Sequence, residues 1–101
     1  MAEPFTEKVI EILKRIPEGK VTSYGAVAAC AGSPRSARQV VRILHSSSEK
    51  YNLPWHRVIN SRGYIAIKDP EGFAEQKALL EMEGVFSDAS GQIPEKDRWI
   101  P

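Results

Sequence analysis

Cysteine is almost missing from this chain of 101 residues: Cys30 is the single one. That excludes an internal disulfide and any zinc site built on cysteines. Histidine is nearly as scarce, with only His45 and His56. Two histidines eleven apart with no carboxylate pattern beside them are a weak metal signal, so no metal and no cofactor are expected. No apolar run approaches the length of a membrane span, so no membrane partner is expected. The start, "MAEPFTEKVIE", is acidic where a signal peptide is basic and has no apolar core, which leads us to expect an intracellular, cytoplasmic protein. Net charge is low too, at +1.

What is present is unevenly distributed. Residues 1–68 hold 11 Lys and Arg against 5 Asp and Glu, whereas residues 69–101 hold 3 against 8. The segment 20–62 carries seven basic residues and one acid, Glu49. Such an imbalance points to a polyanion partner for the middle of the chain. The alternative is chance clustering, and the placement of the charges on the elements decides between the two.

Hydrophobic spacing predicts a helix over 4–16, with Phe5, Val9, Ile12, Leu13 and Ile16 on one stripe and Pro4 at its first position. Pro17 and Gly19 stop it. A short helix follows over 23–31, capped at Thr22 or Ser23 and ended by Gly32. Cys30 is expected on it as a small core residue. Residues 33–48 predict a third helix capped at Ser33 or Ser36. Ala37, Val40, Val41, Ile43 and Leu44 gather on one side and Arg35, Arg38 and Arg42 on the other. Helix, glycine turn, then a helix with an apolar back and an arginine front is the pattern of a helix-turn-helix. An ordinary surface helix is the plain alternative; three arginines on one face with no acid between them favour nucleic acid.

Residues 56–67 read as two short strands around a turn at Gly63, residues 69–72 as a loop, and 73–84 as a last helix with Phe73, Leu79, Leu80 and Met82 inward. The fold class expected is therefore mainly α with a small β-hairpin. The domain is expected over 1–86, with a tail, 87–101, packed on it; along the polar stretch 85–101, Val85, Phe86, Ile93 and Trp99 are expected to pin the chain to the body.

The segment "NLPWHRVINSRG" (52–63) looks like the loop of an active site, with His56 and Arg57 behind a proline. Its leading residue is Trp55, whose indole is no nucleophile at neutral pH. His56 as a general base would need a nucleophile in reach. Spacing alone places neither Ser61 nor Cys30 in that role.

The same segment, "PWHRVINSRG", resembles the active-site signature of the O6-alkylguanine-DNA alkyltransferases, Pro-Cys-His-Arg-Val followed by a Gly-containing turn. "IPEGKVTSYGAVAACAGSPRSARQVV" and "LLEMEGV" resemble further motifs of that family in the same order, so the resemblance runs from about residue 5 to 86. Trp55 stands where the family has its alkyl-accepting cysteine, the mark of the alkyltransferase-like branch.

The resemblance implies the winged helix-turn-helix-like fold of the alkyltransferase C-terminal domain. It also implies a protein that binds and flips O6-alkylguanine in double-stranded DNA without alkyl transfer. Handover to nucleotide excision repair proteins, and a monomer associated with the nucleoid when on DNA, belong to the same expectation.

Residue by residue, Arg38 matches the arginine that fills the place of the flipped nucleotide, and Tyr24 the tyrosine that pushes on the target phosphate. Arg35, Ala37 and Arg42 join them in the DNA-binding set, Ala37 by allowing close approach in the minor groove. Tyr24, Trp55, His56 and Val58 are the expected lesion pocket. His56, Arg57 and Glu83 are the remnant of the relay that activates cysteine in the repair enzymes, with Arg57 bracing the loop. The chain departs from the family at "IKDPEG" (67–72) over the pocket, at Ser47 in place of a hinge asparagine, and at Val41 in place of a glycine. Two rivals remain open: an alkyltransferase with an unusual nucleophile, and a helix-turn-helix transcription regulator.

Overall fold

A computed structural model describes residues 3–101. Four helices carry the fold: α1 (Pro4–Lys14), α2 (Tyr24–Cys30), α3 (Ala37–Tyr51) and α4 (Pro70–Met82). Two short strands, β1 (Thr22–Ser23) and β2 (Val58–Ile59), form the sheet.

The first three helices enclose one core. Val9, Ile12 and Leu13 of α1 meet Val27 and Ala28 of α2 and Val40, Ile43 and Leu44 of α3, each at or near full burial. A second core lies under α4, where Leu80 packs with Val21, Ile59, Ile65, Val85 and Ile93. β2 joins the two. Successive side chains of a strand point to opposite faces, so Val58 enters the first core and Ile59 the second.

The expected hairpin is corrected. β1 and β2 pair in parallel, Thr22 with Val58 and Ser23 with Ile59, across 35 intervening residues. The turn at Gly63 is present, but Asn60 closes it with its side chain, Oδ1 accepting the amides of Arg62 and Tyr64 at 3.0 Å. The chain beyond the turn then pairs with the tail instead of β2. Ile65 N–H donates to the Gly91 carbonyl at 2.9 Å, and Ile93 N–H to that of Gly63 at 2.8 Å.

Local chemistry explains the helix starts. Ser23 caps α2, its Oγ accepting the Ala26 amide at 3.0 Å. Gly32, at φ +95°, turns the chain in a conformation that costs other residues strain. Of the two caps expected for α3, Ser36 and not Ser33 stands at the N-cap position, and the helix starts at Ala37. Ser33 and Ser36 close a turn around Pro34, with the Ser36 amide on the Ser33 carbonyl at 3.0 Å and the two hydroxyls 2.6 Å apart. At its other end α3 runs on to Tyr51.

The expected loop at 69–72 is helix from Pro70. Asp69 caps α4 by accepting the Gly72 amide at 2.9 Å, and Pro70 takes the first helical position. Two apolar expectations fail: Met82 is 83% exposed and Phe86 63%. Cys30 is exposed rather than a core residue, at the end of a helix whose inner side is taken by Val27 and Ala28.

The tail packs through Ile93 and Trp99. Val21 N–H donates to the Asp97 carbonyl at 2.8 Å and Trp99 N–H to that of Val21 at 2.7 Å, so the tail lies alongside the chain entering β1. Among the described residues no helix is long and apolar enough to cross a membrane.

Candidate nucleic-acid interface

α3 presents two different sides. Val40, Ile43 and Leu44 are buried, while Arg38 and Arg42, one turn apart, are exposed, and Ala37 is half-buried at the helix start. Arg35 is exposed too, but it lies in the turn before α3 and not on the helix face expected for it. The Ser33–Ser36 turn, which delays the helix, is the reason. None of the three arginines has a carboxylate within ion-pair distance among the described residues.

Beside this basic side is a cleft of about 210 Å³ lined by Tyr24, Val41, Leu44, His45, Trp55 and Ile67, with Ser48 completing the wall. Val41, Leu44, His45 and Ser48 have the i, i+3, i+4, i+7 spacing of one helix stripe, so α3 supplies a whole side of it. Tyr24 comes from the first turn of α2. Burial pushes its phenol up from the ordinary value of 10.0, so the hydroxyl stays a neutral donor. The Ser48 hydroxyl is shielded from solvent and has no hydrogen-bond partner among the described residues.

Trp55 reaches the cleft from a single turn of 3-10 helix, Trp55–Arg57, and packs against the first core. That turn is pinned from behind. Gln76 of α4, 1% exposed, donates from Nε2 to the carbonyls of His56 at 3.0 Å and Val58 at 3.1 Å.

His56, Arg57 and Glu83 come together on the far side of the turn. His56 Nε2 donates to Glu83 Oε2 at 2.7 Å. Arg57 donates to the same carboxylate from Nε at 2.9 Å and from Nη2 at 2.7 Å, and from Nη1 to the Ile16 carbonyl at 2.9 Å. The Gly19 amide adds a bond to Glu83 Oε1 at 2.9 Å. Burial pushes the Glu83 carboxyl up, but Arg57, the Gly19 amide and His56 together outweigh it and hold its pKa at about 2.

Two expected pocket residues therefore do not line the cleft. Val58 is 0% exposed inside the first core, since strand alternation turns it away. His56 points to Glu83, and borders a separate shallow hollow with Lys14 and Asn52. In their place stand Val41, Leu44, His45 and Ser48, which pattern reading does not assign to the pocket, and Ile67, from the segment expected over it. The α3 stripe carries a signal for four of them, but only the position of Trp55 tells which stripe faces the cleft. Gln76 carries no such signal, because a glutamine between Glu75 and Lys77 reads as surface.

The arrangement offers a basic helix, a neutral tyrosine hydroxyl and an indole face at one aromatic-walled cleft. Among the described residues there is no cluster of three or more groups able to hold a metal ion.

Comparison with known proteins gives the same direction. The family described as the 6-O-methylguanine DNA methyltransferase, DNA binding domain, matches residues 4–85. A DNA base-flipping protein of Escherichia coli (strain K12) is 47% identical over 98 residues, covering 96% of this chain and 75% of its own length. Alkyltransferase-like protein 1 of Schizosaccharomyces pombe is 44% identical over 84 residues, covering 82% of this chain and 78% of its own. The crystal structure of S. pombe Atl1 in complex with damaged DNA containing O6-carboxymethylguanine matches over 100% of both chains, with a TM-score of 0.82 at 38% identity. With a family match spanning most of its length and relatives well above 30% identity, this chain belongs to the 6-O-methylguanine DNA methyltransferase DNA-binding-domain family.

Proposed function

We propose that this protein is a non-enzymatic sensor of DNA damage. It binds duplex DNA through Tyr24, Arg35, Ala37, Arg38 and Arg42 and flips O6-alkylguanine into the cleft beside Trp55. There it holds the base without removing the alkyl group, as a mark for nucleotide excision repair proteins. It acts as a monomer on DNA in the cytoplasm or nucleoid.

The observation that carries this reading is the shared cleft of Tyr24 and Trp55 next to the exposed Arg38 and Arg42. A flipped base costs a few kcal/mol to extrude, less when it is damaged. An aromatic face recovers about 1–3 kcal/mol by stacking, and the Tyr24 phenol is a neutral hydrogen-bond donor near pH 7. The names of the E. coli and S. pombe relatives and the damaged DNA bound by Atl1 agree with it.

The chemistry of the cleft speaks against alkyl transfer. A thiol or hydroxyl nucleophile needs a base in hydrogen-bond reach. Cys30 is absent from the cleft, and the Ser48 hydroxyl has no hydrogen-bond partner among the described residues. The histidine that does sit in a charged relay, His56, faces Glu83 behind the loop. With Trp55 in the acceptor position, the relay orients the loop and has nothing to ionise.

The test is a titration at fixed salt of a duplex carrying one O6-methylguanine against the same duplex unmodified, followed by recovery of both DNA and protein. Tighter binding of the modified duplex, with the methyl group retained and the protein mass unchanged, is expected. Equal binding of both duplexes overturns the sensor reading. A mass gain of one methyl group establishes the transferase instead.

A further inference from the structure

A second cleft, of about 250 Å³, lies at the start of α2, lined by Thr22, Ser23, Asn60, Ser61, Arg98 and Trp99 among others. Arg98 and Trp99 reach it because the tail runs beside Val21, where Val21 and Arg98 form a parallel bridge. Both lie beyond the 4–85 segment that the family match covers.

The chemistry of this cleft is one-sided. Arg98 is the only charged residue in its lining, and its guanidinium has no carboxylate within ion-pair distance among the described residues. That guanidinium lies across Gly63, where any Cβ would run into it. Asn60 spends its Oδ1 on two backbone amides, which leaves its NH₂ as the free end. Thr22 is 3% exposed and its hydroxyl is shielded from solvent, so Thr22 backs the cleft without presenting that hydroxyl to it. A cation and a free amide with no carboxylate in the lining suit a phosphate group.

We propose that this cleft is a second phosphate site, in which Arg98 receives a backbone phosphodiester of duplex DNA. The proposal rests on the DNA-binding reading above, but not on the preference for damage. Ser23 lines this cleft and its neighbour Tyr24 lines the first, so the two clefts adjoin at the start of α2. The tail thus extends the footprint on DNA, although most of the charge in the last third of the chain is acidic.

The experiment measures the affinity of the full chain for a plain duplex and for the O6-methylguanine duplex between about 50 and 200 mM salt. It compares the native protein with Arg98→Gln, Arg98→Lys and Ile100→Asp. Each phosphate contact adds about 0.9 to the salt slope. Arg98→Gln is therefore expected to bind both duplexes more weakly, and its deficit to shrink about 3.5-fold across that range. Arg98→Lys is expected to keep the native slope.

Ile100, 87% exposed in the lining, is replaceable without loss of core. Ile100→Asp therefore tests the site even if Arg98→Gln does not fold, and is expected to weaken binding to both duplexes several-fold. Native slope and affinity in Arg98→Gln, or in Ile100→Asp where the former is unfolded, overturn the proposal. A slope change on both duplexes without any lesion preference in the native protein keeps the phosphate site and removes the damage reading.

Discussion

Arg57 and Glu83 grip one another by two prongs, Nε to Oε1 at 2.9 Å and Nη2 to Oε2 at 2.7 Å, although 25 residues separate them in the chain. The pair fastens the Trp55 turn to the end of α4. His56 and the Gly19 amide close on the same carboxylate, so Glu83 ties three segments together. The side chains of Arg57 and Glu83 are only 17% and 11% exposed, which makes either one costly without the other.

Glu83→Ala is expected to lower stability by about 3 kcal/mol, the scale of breaking a shielded ion pair by removing one partner. The double variant Arg57→Met with Glu83→Leu is expected to recover a good part of that loss, because neither charge is left stranded. Urea denaturation of the native, single and double variants checks both statements. A double variant no more stable than Glu83→Ala contradicts the argument.

The same carboxylate predicts a pH dependence. Its folded pKa is depressed from 4.5 to about 2, so the unfolded chain binds the proton more readily. Its contribution is complete above about pH 4.5 and is lost as the pH falls towards 2. Thermal melts across that range are expected to show the native protein losing stability on acidification faster than Glu83→Gln. Parallel curves for the two proteins would refute this.

Arg38 and Trp55 are expected to fail in different ways. On the proposed reading Arg38→Ala weakens binding of modified DNA substantially, because Arg38 is the side chain proposed to fill the gap of the flipped base. Trp55→Ala lowers the preference for the alkylated duplex by about 1–3 kcal/mol, the worth of one stacked base. Competition between modified and plain duplexes separates the two effects. An unchanged preference in Trp55→Ala sinks the role of the indole.

Gln76→Leu is expected to cost about 1–3 kcal/mol, since the carbonyls of His56 and Val58 lose their side-chain donor. The Trp55 turn should loosen with it. Faster hydrogen exchange of the amides at 57–59 and a change in tryptophan emission are the readouts. Native exchange rates there would show that Gln76 only fills space.

The sequence by itself determined what depends on neighbours within a turn or two. Val9, Ile12 and Leu13 mark the inner stripe of α1, and Ser23 and Gly32 bound α2, because capping and helical spacing are local interactions. The motif around Trp55, His56 and Arg57 is equally legible, and with it the family. The Asp69–Pro70 start of α4 was also local and was misread as a loop, because a cap and a turn use the same residues. Tertiary structure alone decided the rest. Two-residue strands carry no periodicity, so nothing in Thr22–Ser23 or Val58–Ile59 names the other as a parallel partner. The lining of the first cleft, the burial of Val58, the work of Gln76 and the placing of Arg98 beside Thr22 follow from that pairing and from the tail beside it. Each depends on which distant segments the closing of the two cores brings within reach, and no short stretch of sequence encodes that.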